Sequence, residues 1–219
     1  MHNTVQNLIK IEEEIKLNLN DIKVLNLPKI IAVSKTFKID KIIPLIDHGH
    51  LDFGENKVQE AIDKWTEIKS NNSNIKLHMI GKLQTNKVRF AVKLFDYIHS
   101  VDSQKLAKKI ADEQKKVNKK LKVFIQVNIG NEEQKSGVNK VSLPILYSYC
   151  KKLNLDVIGL MCIPPQDKLA EYYFKELNNL NKDLGLNELS IGMSADFLEA
   201  VKNSATFLRL GSNIFGKRS

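Results

Sequence analysis

Eight short apolar runs, separated by helix-like patterns, constrain this chain more than any other feature. They are KIIAVSK (29–35), LDFGE (51–55), KLHMIG (76–81), YIHSV (97–101), KVFIQVNI (122–129), LDVIGLMCI (155–163), ELSIGM (188–193) and TFLRLG (206–211). A short, nearly continuous apolar run reads as a strand buried on both faces. Between the runs lie helical patterns, among them 38–49, 55–70, 104–117 and 169–184. Strands that alternate with helices pair in parallel through helical crossovers. Eight such units in 219 residues fit a closed (β/α)8 TIM barrel of the α/β class. The rival architecture, an open doubly wound sheet, lacks the GxGxxG turn after its first strand. Val5, Leu8, Ile11, Ile15 and Leu19 recur at helical spacing. They predict an extra N-terminal helix over about 3–19, expected to close the barrel floor. No Pro/Gly/Ser-rich linker divides the chain, so one domain over 1–219 is expected.

Composition removes several function classes. A net charge of +9 could serve nucleic acid, but the lysines are spread along the chain. Their densest stretch, KLAKKIADEQKKVNKK (105–120), carries no aromatics and reads as a solvated helix face. No nucleic-acid partner is expected. Cys150 and Cys162 form no CxxC pair, which predicts reduced thiols rather than a disulfide or zinc site. DHGH (47–50) reads as a helix end followed by a turn, not a metal pair. The acidic N-terminus is no signal peptide, and no run reaches the ~18 apolar residues of a membrane helix. A soluble, cytoplasmic protein with no membrane partner is expected.

The working face of such a barrel lies at the C-terminal ends of the strands. Lys35 stands there, at the end of the first strand. It is either an ordinary strand-end lysine or a recessed amine set to form an imine with an aldehyde. The seventh strand ends in SIGMS, with Ser194 suited to cap the next helix and Asp196 suited to its first turn. The eighth ends in RLGSNIFG, with Gly211 and Ser212 at the turn. Loops after strands seven and eight of barrels often hold phosphate, although the serine and glycines could be only cap and turns. Lysine on one side and a phosphate cup on the other would suit a phosphorylated aldehyde. Arg209 should face the barrel interior near the mouth, where a charge needs a partner. A structural ion pair is the competing account of it.

Through AVSKT (32–36), FGENKVQE (53–60), HMIGKLQTNKV (78–88), HSVD (99–102), FIQVNIGNEEQKSGV (124–138), GLMCIPP (159–165), LSIGMSADFLEAV (189–201) and RLGSNIFG (209–216), the chain resembles a known family. It is similar to the pyridoxal phosphate homeostasis proteins, single-domain relatives of the barrel domain of alanine racemase. That resemblance implies that Lys35 carries pyridoxal 5′-phosphate (PLP) as a Schiff base, with Ser194, Gly211 and Ser212 on the phosphate. Alanine racemase places an arginine two positions before its phosphate-binding glycine and fifteen after its phosphate-binding serine. Arg209 has both spacings here, to Gly211 and Ser194, and by resemblance approaches the pyridine nitrogen. Arginine stays protonated, so it leaves that nitrogen unprotonated and weakens the cofactor as an electron sink. Asn56 and His78, in family motifs at the ends of strands two and three, are expected to line the pocket. A satisfied core histidine is the competing account of His78. Met161 is expected either near the ring or as a plain core residue.

The resemblance therefore implies a PLP-binding protein of vitamin B6 homeostasis that stores the cofactor or hands it to PLP-dependent apo-enzymes, without committed catalysis. The chain ends soon after its eighth strand, so the second domain that supplies a racemase with its tyrosine base is not expected, and a monomer is. The alternative is a true PLP enzyme, an amino-acid racemase or a small-substrate decarboxylase. It would need a general base near the substrate Cα.

Overall fold

The computed structural model describes residues 1–20, 27–165 and 169–216. Its sheet is a closed barrel of parallel strands in chain order, β1 to β8, with β8 returning to pair with β1. The strands are β1 (Lys29–Val33), β2 (Asp52–Glu55), β3 (Lys76–Met79), β4 (Tyr97–Val101), β5 (Lys122–Gln126), β6 (Asp156–Met161), β7 (Glu188–Met193) and β8 (Phe207–Leu210). The crossover helices are α2 (Ile43–Asp47), α3 (Val58–Asn71), α4 (Val88–Leu94), α5 (Gln104–Lys116), α6 (Leu143–Lys152), α7 (Ala170–Asp183) and α8 (Phe197–Lys202). A leading helix α1 (Asn3–Asn20) precedes the barrel and a single turn α9 (Ser212–Phe215) follows β8.

Each of the eight apolar runs contains its strand, with β4 and β7 matching to the residue. Helix α5 shows how the local pattern folds. Ser103 caps it through a hydrogen bond from the Leu106 N–H (3.3 Å), and Lys115 and Lys116 occupy the last turn, where cations suit the helix dipole. Leu106, Ala107, Ile110 and Ala111 are buried against the sheet. Lys105, Lys108, Lys115 and Lys116 point outward, so the basic stretch is a solvated face.

Helix α1 does not close the floor. It packs along the flank against α8, α9 and α2, and Asn7 Nδ2 donates to the Ile214 carbonyl at 3.0 Å. Its apolar stripe Leu8, Ile11 and Ile15 is buried there in the main hydrophobic core.

Two apolar layers hold the barrel. Between sheet and helices lie Trp65, Phe95, Phe174 and Leu177, all fully buried. Inside the barrel Ile31, Tyr97, Phe124, Met161 and Phe207 form a separate cluster. Each such side chain contributes roughly 1.5–3 kcal/mol by leaving water. The interior also holds His78, stacked on Tyr97 (centroids 4.2 Å apart), and His99, stacked on Phe124 (4.4 Å).

Gly159 of β6 pairs with Glu188 of β7, and a Cβ on it would stand 1.8 Å from the Glu188 carbonyl oxygen. Backbone cannot yield as a flexible side chain would. Gly159→Ala is therefore expected to cost more than about 4 kcal/mol, read as a lowered midpoint of urea denaturation or as loss of folded protein.

Candidate functional site

The C-terminal ends of β1, β2, β3, β6, β7 and β8 surround a cavity of about 640 Å³, within the size range of small-molecule sites. Lys35, Asn56, Ser194, Arg209, Gly211 and Ser212 all line it, with apolar walls from Val33, Ile80, Ile163 and Met193.

Lys35 does not lie within β1. The strand ends at Val33, and Lys35 sits half-buried in the turn that follows, where Thr36 adopts a left-handed φ of 68°. This turn is clamped on both sides of the lysine. Ser34 Oγ donates to Glu55 Oε1 (2.7 Å) and its carbonyl accepts from Lys64 Nζ (2.9 Å). On the other side, the Thr36 N–H donates to Glu60 Oε1 (2.6 Å). Lys64 bridges the two carboxylates at 2.9 and 3.1 Å, and Trp65 Nε1 donates to Glu55 at 3.0 Å. Burial pushes the Glu60 carboxyl up, but the Thr36 N–H and the Lys64 ammonium outweigh it and hold the pKa below the usual value. The anionic form that the clamp requires is thus the stable one.

Ser194 is not the cap of the next helix. Helix α8 starts at Phe197, with Asp196 before it accepting from the Met193 N–H at 2.6 Å. Ser194 Oγ turns to the mouth, where the Gly211 N–H reaches it at 3.4 Å, and Asn213 Nδ2 donates to its carbonyl at 3.0 Å. These bonds hold the β7 and β8 turns together. A Cβ at Gly211 would make only ordinary contact with the protein, nearest Val33 Cβ at 3.5 Å. The missing side chain thus leaves cavity space rather than relieving a clash. Gly81 is the opposite case: its Cβ would stand 2.5 Å from the Asn56 carbonyl oxygen. The close approach of β3 fixes Asn56, whose buried Oδ1 has no hydrogen-bond partner among the described residues.

Arg209 is buried, yet no carboxylate touches its guanidinium among the described residues. It donates instead to the Ser190 carbonyl (2.5 Å), Ser190 Oγ (2.7 Å) and the Cys162 carbonyl (2.9 Å). Burial lowers its pKa from the ordinary arginine value, and it remains a cation at neutral pH. His78 and Met161 are not brought to the cavity. Met161 is fully buried in the inner apolar cluster. His78 lies deeper in the barrel, between Asp52 (2.9 Å) and His99 (3.0 Å). Cys150 and Cys162 are buried thiols pushed up to about 12 by that burial. Among the described residues no group of His, Cys, Asp and Glu could hold a metal ion.

Sequence reasoning gave no role to Glu55, Glu60 and Lys64, although both glutamates stand in the motif at 53–60. Glu60 and Lys64 are also four residues apart, the spacing of an ion pair on one helix face. His99 and Ser190 likewise lay in recognised motifs without a function, and no motif marked Asp52.

Fold and cavity together define a ligand-binding (β/α)8 barrel that presents an amine, an arginine and paired serine hydroxyls at its mouth. The chain belongs to the family of the alanine racemase N-terminal domain, whose model matches residues 12–219. It is 37% identical over 206 residues to the pyridoxal phosphate homeostasis protein of Haemophilus influenzae, covering 89% of this chain and 86% of that one. Identity to the pyridoxal phosphate homeostasis protein of Aquifex aeolicus is 38%, over 88% of each chain. The structure of PipY from Synechococcus elongatus PCC7942 with PLP bound superposes with a TM-score of 0.80 at 32% identity, covering 92% of this chain and all (100%) of that one. Among the described residues no helix is long and apolar enough to cross a membrane.

Proposed function

We propose that this chain binds PLP at the barrel mouth and serves PLP homeostasis as a carrier or buffer, acting as one domain over 1–219. The observation that carries this reading is the meeting of Lys35, Ser194, Gly211, Ser212 and Arg209 around one cavity. The residues fit the group. Lys35 would hold the aldehyde, and Ser194 and Ser212 would hold the phosphate beside the open position at Gly211. Arg209 would face the ring nitrogen, with Val33, Ile80, Ile163 and Met193 against the ring. The unsatisfied Asn56 Oδ1 supplies a polar contact at the cavity edge. When bound, PLP supplies an aldehyde that an amine captures reversibly and a ring that can accept electrons.

Carriage is favoured over turnover by the lining itself. Among the described residues of the cavity, the ionisable side chains are Lys35 and Arg209. A racemase or decarboxylase needs a second proton-transfer group near the substrate carbon. Partners would be PLP and the apo-enzymes that receive it, with the chain acting as a monomer in the cytoplasm.

The test is an absorbance titration of the purified protein with PLP, followed by borohydride reduction and peptide mapping. A saturable band at the blue edge of the visible, with the reduced cofactor mapped to Lys35, is the expected result. No band at excess PLP would overturn the cofactor reading. Loss of Cα-deuterium from amino acids in the loaded protein would instead favour the enzyme.

A further inference from the structure

A line of buried polar groups crosses the barrel interior below the cavity and does not itself line it. Asp52 Oδ1 lies 2.9 Å from His78 Nε2, His78 Nδ1 lies 3.0 Å from His99 Nε2, and His99 Nδ1 lies 2.8 Å from Ser190 Oγ. Arg209 closes the line on Ser190 Oγ at 2.7 Å. His78, His99 and Ser190 are fully buried. Such groups persist inside an apolar barrel only if each finds a partner.

The carboxylate end and the neutral imidazoles fix the direction of every bond. A carboxylate can only accept, so His78 donates from Nε2 to Asp52 and accepts at Nδ1 from His99 Nε2. His99 Nδ1 then accepts the Ser190 hydrogen, while Ser190 Oγ accepts from Arg209. With both imidazoles neutral, each donor and acceptor along the line is used once. Protonating His78 would reverse the links to Ser190, whose hydroxyl would then accept from both Arg209 and His99 and lose the partner of its own hydrogen. The environment opposes that state: burial, above all, lowers the pKa of both histidines, and for His99 the neighbouring His78 and Arg209 charges lower it further.

We propose that Asp52, His78, His99 and Ser190 are positioning residues for Arg209, forming a one-directional hydrogen-bond chain that aims its guanidinium at the ligand in the mouth. The inference rests on the PLP reading, in which Arg209 meets the ring nitrogen. It extends the ligand-sensing structure from the mouth through the barrel interior. Stacking of His78 on Tyr97 and of His99 on Phe124 keeps both imidazole planes aligned for these bonds.

The test begins without cofactor. In nitrogen-15 spectra of the ligand-free full chain, His78 and His99 are expected to carry hydrogen on Nε2 and to stay neutral below their ordinary pKa. An Nδ1-protonated His99 would overturn the chain. PLP is then titrated into wild type, His99→Phe, Ser190→Ala and, as a control outside the barrel, Phe174→Leu. His99→Phe and Ser190→Ala are expected to weaken PLP binding about tenfold and to shift the absorbance maximum of the bound cofactor. Phe174→Leu, though destabilised, is expected to match wild type in both. If His99→Phe does not fold, Ser190→Ala, which removes one hydroxyl, decides the matter. Wild-type affinity and spectrum in the folded variants would overturn the positioning role. A wild type that binds no PLP would overturn the cofactor reading and the ligand side of this proposal. The tautomers would still report independently on the chain.

Discussion

Lys35→Ala is expected to abolish the visible-edge absorbance of the PLP complex and to leave nothing for borohydride to trap. Ser194, Gly211, Ser212 and Arg209 remain in the cavity, so weak non-covalent binding persists. The loss in affinity is expected to be at least about a hundredfold, or about 2.7 kcal/mol. Folding should not suffer, because Lys35 is half-buried in a turn and the clamp around it acts through Ser34 and Thr36. Equal urea midpoints for parent and variant, with the band missing only from the variant, would bear this out. An unchanged band in Lys35→Ala would place the covalent contact on another amine.

Mild acid should destabilise the protein well before its carboxylates titrate. His78 and His99 are fully buried, and burial holds both pKa values below the ordinary 6.5, that of His99 far below. In the unfolded chain the same residues take up protons near 6.5. Below that pH the unfolded state therefore binds more protons, and stability falls as pH falls. While these two stay neutral in the fold they account for about 2.7 kcal/mol per pH unit, and His50, whose pKa burial also lowers, adds to the loss. The depressed pKa values of Asp52 and Glu60 contribute stability that is lost only in the carboxylate range, below about pH 4. Urea denaturation at about pH 7.5 and about pH 5.5 separates the two windows. His99→Phe should remove about 1.4 kcal/mol per pH unit from the slope between these pH values. An unchanged slope would mean that His99 is not the buried neutral group described.

Much of this was legible in the chain because the signals were local. Short continuous apolar runs and helical spacing located the barrel, and β4 and β7 fell where their apolar runs did. The ends of elements were less legible. Nothing in AVSKT shows that the strand stops at Val33, because the left-handed Thr36 that ends it is held by Glu60 from another element. Ser194 looked like a cap because serine before a helix usually is one; Asp196 took that place and the hydroxyl turned to the mouth. The position of α1 depended on its packing against α9, a contact between the first and last described elements that no sequence window contains. The polar chain through the barrel was hidden for the same reason. His99 and Ser190 are 91 positions apart, and only barrel closure makes them neighbours.

The place of α1 on the flank bears on the order in which the molecule can be completed. During synthesis α1 emerges before any strand and α9 after all of them, yet they pack together through Asn7 and Ile214. The turn at Gly211 and Ser212 thus gains its outer support from a segment made before any strand. Until β8 has been translated, the stripe of Leu8, Ile11 and Ile15 has no final seat, and the Gly211 and Ser212 side of the mouth has no wall. The nascent chain can form most of its barrel strands and still be unable to grip a ligand, so that binding competence arrives in a single late step.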